Sequence, residues 1–270
     1  MLSVSGVTGA VEASAEASRS ECVETFVALA PGSLASAEGD DPWNPPYYEN
    51  AVVQALGAQL REEYRENPAV AVWTLNYAAT LDDYDASRDG GTAKLRGVIA
   101  DVASRCPDTN FVLIGFSQGA DIVGDLVSDI GNGRGPVEAS RVRGAALLAD
   151  PRRTQGVGIN VGVPTSGAGL EVVGQPLQPL VNFANMFGAN IGNQGISRGP
   201  RAGGFGVLNK STFSFCALND PVCDVPYTLL DAGRFGSLKT EVHTSYLDNY
   251  TMIPGISFVQ WVKAWLHNNI

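Results

Sequence analysis

The sequence predicts an α/β fold in which a central, mostly parallel sheet is covered by helices on both faces. Short β-prone apolar runs alternate with segments of helical periodicity, the pattern of strand–helix–strand units. Hydrophobic residues make up 44% and charged residues 17% of the 270 residues, enough apolar material for one large core rather than a disordered chain. Gly115-Phe116-Ser117-Gln118-Gly119 reads G-x-S-x-G between the strand-like Phe111–Ile114 and the helix-like segment Ala120 to Ile130. A serine on such a strand-to-helix turn is thrust out of the sheet edge in a strained backbone state, and flanking glycines leave room for the turn.

The elements follow in order. Val23 to Ala30 reads as a strand ending at Pro31-Gly32-Ser33, and Glu38 to Pro46 as an acidic, Pro-rich loop. Tyr47 to Arg65 carries Ala51, Val52, Ala55, Leu56 and Leu60 at helical spacing, stopped by Asn67-Pro68. Val70 to Leu75 is the next strand and Asp82 to Asp89 an acidic loop; Gly90-Gly91 precedes a helix over Thr92 to Ser104. After the central strand and its helix, which Gly131 closes, Val142 to Leu148 forms a further strand. Pro151 to Lys210 breaks the rhythm with Gly, Asn, Pro and Gln and isolated apolar residues (Leu170, Val172, Leu177, Phe183, Met186, Phe187, Ile191). So long an insertion is unusual in a compact domain and is read as a flap or wall for a substrate, the alternative being a surface excursion. Strand character returns at Thr212 to Cys216, and a last helix runs from Ile256 to His267. Residues 21–270 are thus expected to form a single domain.

The net charge is −10 with no Lys/Arg-rich stripe, which argues against nucleic acid as a partner. No apolar run reaches the roughly 18 residues that span a bilayer. Residues 1–20 are rich in small side chains without the basic start and apolar centre of a leader, and read as a disordered tail. Ala13-Ser14-Ala15 offers the other reading, the cleavage end of a leader whose front is missing. Cys22, Cys106, Cys216 and Cys223 suit two disulfides and an exported protein, with three pairings open; a zinc site is the competing reading, without a C-x2-C and with two histidines.

A serine hydroxyl becomes a nucleophile when a base takes its proton, usually an imidazole held by a carboxylate. The bases on offer are His267, at the end of the last helix, and His243, in the connection before it; position favours His243. With the chain order Ser, acid, His, the acid lies between 117 and 243. Asp121, Asp125 and Asp129 lie on the helix after the elbow and point away from it; Asp150 ends a strand; Asp224, Asp231 and Glu241 are weaker options. Asp220, in Cys216-Ala217-Leu218-Asn219-Asp220-Pro221-Val222-Cys223, is the chosen acid. Oxyanion donors are sought at the Gln118 N–H and, from the loop after the first strand, at Ser33; an ordinary Pro-Gly turn is the equal alternative for the latter. No cofactor or metal is needed for such chemistry.

These residues resemble the cutinase-like serine esterases. The resemblance rests on Cys106-Pro107-Asp108, the elbow with Ala120, Asp220-Pro221-Val222-Cys223, His243-Thr244-Ser245-Tyr246 and Gly32-Ser33, and spans Cys22 to Ile270 except Pro151 to Lys210. It implies an α/β-hydrolase three-layer sandwich with a five-stranded parallel sheet and the pairings Cys22–Cys106 and Cys216–Cys223. It further implies Ser117 as nucleophile, His243 as base and Asp220 as acid. The chain departs from small cutinases in its insertion, and from many relatives in Pro31 where they have arginine. It is closer to longer actinobacterial members of mycolic-acid envelopes, which implies an esterase or lipase acting on lipid esters such as trehalose mycolates or phospholipids; a monomer is expected. Acyl transfer with the same triad, and a non-catalytic lipid-binding envelope protein, are the alternatives.

Overall fold

The computed structural model describes residues 22–48, 51–173, 198–227, 237–247 and 253–270. The segment 1–20 and the apolar residues Leu177, Phe183, Met186, Phe187 and Ile191 lie outside them, as does Asp231. Six strands build one sheet: β1 Thr25–Ala30, β2 Val70–Thr74, β3 Asn110–Phe116, β4 Val142–Leu148, β5 Ile159–Val161 and β6 Thr212–Phe215. All pairs are parallel, in the order β2-β1-β3-β4-β6-β5. Five strands are those the sequence marks. The sixth, β5, is a three-residue edge strand inside the Gly-rich insertion, too short to leave a pattern.

Helices α1 Val52–Glu63, α2 Tyr84–Arg105, α3 Gln118–Gly131 and a one-turn α4 Leu170–Val173 are followed by a one-turn α5 Thr240–Thr244 and by α6 Phe258–His267. Alternation along the strands feeds two cores, as a doubly covered parallel sheet requires. Val27 and Leu29 pack with Leu56 and Leu60 of α1 and Val262 and Leu266 of α6. Phe26 and Ala28 face the other way, onto Leu95 and Ile99 of α2 and Ile122 and Leu126 of α3. Ser257 caps α6 in a reciprocal capping box with Gln260.

Two helix boundaries differ from the sequence reading. Helix α1 starts at Val52 rather than Tyr47; Tyr47 is exposed and the Tyr48 hydroxyl donates to Asp40, which keeps this stretch in the acidic loop. Helix α2 starts at Tyr84, so the acidic run of 82–89 is largely helical and Gly90-Gly91 lie inside it. The reason is packing. Arg88 turns inward and pairs with Asp85 at 2.6 Å and Asp89 at 3.0 Å. A Cβ on Gly91 would stand 2.6 Å from Ile122, so glycine there sets the close approach of α2 to α3.

The described parts of the insertion are partly anchored in the core, while Ile159, Val163 and Val207 stay exposed. Arg152, Arg153, Glu171 and Arg201 are buried, and the Gly199 N–H donates to the Glu171 carbonyl. Arg201 is bound to Asp150, Asp121 and Asp125, and Arg152 and Arg198 also hold Asp125. Beside them Glu171 is pushed up to about 10, by burial first and the Asp121 charge second. The shift means that the folded chain holds this proton to higher pH than the unfolded chain does. The unfolded chain releases that proton near 4.5, so stability is expected to fall as pH rises from there toward about 10. Denaturant midpoints for Glu171→Gln should show a flatter alkaline slope than wild type; an unchanged slope would place the proton elsewhere.

Candidate active site

The chain order places β1 next to both β2 and β3, so the sheet reverses direction of winding between β1 and β3. Beyond the carboxyl ends of strands at such a switch point a crevice opens. Ala30 is in register with Gly115, and the two loops that leave these strands meet there. Ser117 sits at the junction of β3 and α3 with φ 54° and ψ −123°, the strained state of the elbow. The flanking glycines are sterically required. A Cβ at Gly115 would lie 2.2 Å from the Gly119 carbonyl oxygen, and one at Gly119 2.0 Å from that of Ala30. Gly119→Ala is expected to cost about 3 kcal/mol, read as a lowered denaturant midpoint, because no flexible side chain can yield.

The two partners of Ser117 arrive from far along the chain. His243 Nε2 lies 3.0 Å from Ser117 Oγ. His243 Nδ1 lies 3.0 and 3.1 Å from the two oxygens of Asp220. Asp220 is fully buried and His243 is 2% exposed, while Ser117 is half-buried at the opening. The Phe116 ring stacks on the imidazole at 5.0 Å between centroids. Neither titratable partner is floppy. The Cys216–Cys223 disulfide closes the loop around Asp220, and the Val222 N–H donates to Asp220 Oδ1 at 2.8 Å. Asn219 adopts φ 66°, which asparagine tolerates, and its carbonyl accepts the Lys239 N–H at the start of α5. His243 thus sits on a helical turn rather than in a plain connection, tied to the same loop as Asp220.

The loop after β1 lies against the elbow: a Cβ on Gly32 would stand 3.2 Å from Ser117 Cβ. Ser33 Oγ donates to Gln118 Oε1 at 3.2 Å, and the Tyr77 hydroxyl is 3.1 Å from the same oxygen and 2.8 Å from the Pro31 carbonyl. The Gln118 amide group donates in turn to Ser87 Oγ at 3.1 Å and toward the Tyr84 carbonyl at 3.3 Å. The Gln118 side chain therefore fixes the loop to the elbow, a role absent from a reading that used its backbone N–H alone. That N–H opens α3 and has no intrahelical acceptor, as the first turn of any helix dictates.

The remaining candidates have other occupations. Asp121, Asp125 and Asp150 are held by arginines, and Asp129 by Arg96 and Arg134. Asp224 accepts the N–H groups of Gly167 and Asn219. Glu241 and His267 are exposed. Cys22–Cys106 and Cys216–Cys223 are both disulfides and no described cysteine is free, so the zinc reading of the cysteines fails. Among the described residues no helix is long and apolar enough to cross a membrane.

The family model described as Cutinase matches residues 47–264. A Corynebacterium glutamicum protein named Carboxylesterase Culp6 homolog is 39% identical over 264 residues, covering 92% of this chain and 82% of its own. Carboxylesterase Culp1 of Mycobacterium bovis is 35% identical over 83 residues, covering 31% of this chain and 36% of its own. Among solved structures, an acetyl xylan esterase aligns with a TM-score of 0.56 at 19% identity, covering 92% of this chain and 99% of its own, a likeness of fold. The matched span, the relatives and the parallel sheet with its elbow serine together show that this chain belongs to the cutinase family and is a carboxylic ester hydrolase.

Proposed function

We propose that the chain is an exported serine esterase in which Ser117 attacks the acyl carbonyl, His243 carries the proton and Asp220 orients the imidazole. The observation that carries the reading is the line of three contacts at 3.0–3.1 Å from Ser117 Oγ through His243 to the buried Asp220. With Nδ1–H turned to Asp220, Nε2 faces the hydroxyl as acceptor and removes its proton as the Oγ–C bond forms. The oxyanion that develops is met by the N–H groups of Gln118 and Ser33, the Ser33 hydroxyl being committed to Gln118 Oε1. The same imidazolium then protonates the leaving alkoxide, and water admitted to the acyl-enzyme reverses the sequence.

The substrate in this reading is a lipid ester. Leu34, directly after Ser33, and Leu218, two residues before Asp220, are 44% and 52% exposed and give the two loops of the site apolar tips. Two disulfides support an exported protein, and envelope lipids such as trehalose mycolates or phospholipids are the class proposed. Residues 21–270 act as one unit and as a monomer. The insertion from Pro151 to Lys210 is the candidate flap or wall for the acyl chain, and its residues 174–197 lie outside the described ones.

A fluorophosphonate should label wild type once per chain and leave Ser117→Ala unlabelled; an unlabelled wild type sinks the triad. Hydrolysis of a panel from short p-nitrophenyl esters and acetylated xylan to phospholipid and trehalose mycolate, with Ser117→Ala as blank, then assigns the ester. Turnover confined to the acetyl esters would overturn the lipid assignment. Product analysis with trehalose present separates hydrolysis from acyl transfer.

A further inference from the structure

Tyr246, in the His243-Thr244-Ser245-Tyr246 stretch, has no part in the mechanism above, yet it is among the most buried large side chains of the protein. Its hydroxyl donates to Asp220 Oδ2 at 2.6 Å. The Tyr246 hydroxyl oxygen also accepts the Ala217 N–H at 3.0 Å and lies 3.4 Å from Cys223 Sγ. It thereby joins the acid to both ends of the disulfide loop. The ring is also packed edge-on to His243 and against Phe116.

We propose that Tyr246 is a positioning residue for ester hydrolysis, its hydroxyl fixing the outer oxygen of Asp220 so that the carboxylate holds His243 in the productive tautomer and orientation. The inference rests on the Ser117–His243–Asp220 reading. Without this donor the buried carboxylate would keep its contacts to His243 and to the Val222 N–H, but could turn about its own bond and tilt the ring. A short charge-assisted hydrogen bond removes that freedom and disperses charge from the carboxylate. The donor is permanently available: burial, and next the Asp220 charge, push Tyr246 well above the ordinary tyrosine range. The charged groups that face it are Asp220, His243 on the preceding helix and, from the chain after β4, Arg153. Arg153 is itself beside Asp224 and donates to the Cys223 carbonyl, so it braces the loop rather than competing for Asp220.

The test is Tyr246→Phe, which removes one oxygen and leaves the ring. kcat is expected to fall about 10- to 100-fold, the range of a lost hydrogen bond to a charged group, with KM within about twofold. The acid limb of kcat/KM should move to higher pH, because the less dispersed Asp220 charge favours the imidazolium; a merely structural tyrosine would leave that limb in place. In an Asp220→Asn background the same change should cost less than threefold, whereas full additivity would overturn the proposal. If Tyr246→Phe does not fold, 3-fluorotyrosine at position 246 keeps the hydroxyl as a stronger donor and should move the acid limb to lower pH; a fixed limb would overturn the proposal. Fluorophosphonate labelling separates the failures. A labelled wild type with unchanged Tyr246→Phe kinetics rejects the positioning role alone, and an unlabelled wild type rejects the triad itself.

Discussion

Ser117→Ala is expected to lower kcat about 10⁴- to 10⁶-fold while leaving the denaturant midpoint within about 1 kcal/mol of wild type. The size follows from what remains. Oxyanion donors and substrate binding survive the change, and such groups alone keep a residual acceleration over water of about 10³–10⁴. The fold survives because Ser117 Oγ is bonded to His243 and its backbone anchors are main-chain: its N–H donates to the Leu148 carbonyl and its carbonyl accepts from Ala120 and Asp121. Alanine must adopt the same φ of 54° at a similar cost. Asp220→Asn is a different experiment, since its amide would present the wrong tautomeric partner to His243 and disturb the acceptor of Val222 and Tyr246. It should lose both rate and stability. Retention of more than about 1% of wild-type kcat by Ser117→Ala, with contamination excluded by the labelling blank, would remove Ser117 from the mechanism.

Much of this site is legible in the sequence, for a physical reason: its parts are constrained locally. The elbow announces itself through glycines that no other residue can replace, and Asp220 through two cysteines seven positions apart. His243 follows from scarcity of alternatives, and the strands from short continuous apolar runs, as burial on both faces dictates. What escaped the reading is non-local or inverted in polarity. The stretch 82–89 looks like a solvated loop because the buried carboxylates that draw Arg88 inward, Asp121 and Glu171, lie far along the chain. Pro151 to Lys210 shows no periodicity because its described parts are anchored by buried arginines and by scattered apolar residues such as Leu170, Phe205 and Leu208. Tyr246 was visible as part of a motif, but one hydroxyl aimed at one carboxylate leaves no pattern along the chain.

Arg201→Met is expected to cost about 3–5 kcal/mol at neutral pH, the range for breaking a buried ion pair by removing one partner. Arg201 is 8% exposed and spends its guanidinium on three carboxylates: Nη1 on Asp150 Oδ2 at 2.6 Å, Nη2 on Asp121 Oδ1 at 2.9 Å and Nε on Asp125 Oδ1 at 2.8 Å. Gly124 is where α3 makes room for it, since a Cβ there would lie 2.5 Å from Nη2. Methionine fills part of the volume but leaves Asp121 and Asp150 buried with less compensation. Asp125 retains Arg152 and Arg198, so the loss concentrates on the first two. Asp121 is already raised to about 6 in the wild type, by burial and then by Asp125, against the opposing pull of Arg201. Deleting Arg201 raises it further. A carboxyl whose folded-state proton affinity exceeds its unfolded one destabilises more as pH rises, so the cost should be larger at pH 8 than at pH 5. Arg201→Lys keeps the charge but not the planar fork, and should recover only part of the loss. A midpoint change below about 1 kcal/mol at both pH values would mean that the carboxylates rehydrate freely. The insertion would then not be stapled to α3 behind the elbow, and its described residues could be trimmed without disturbing Ser117.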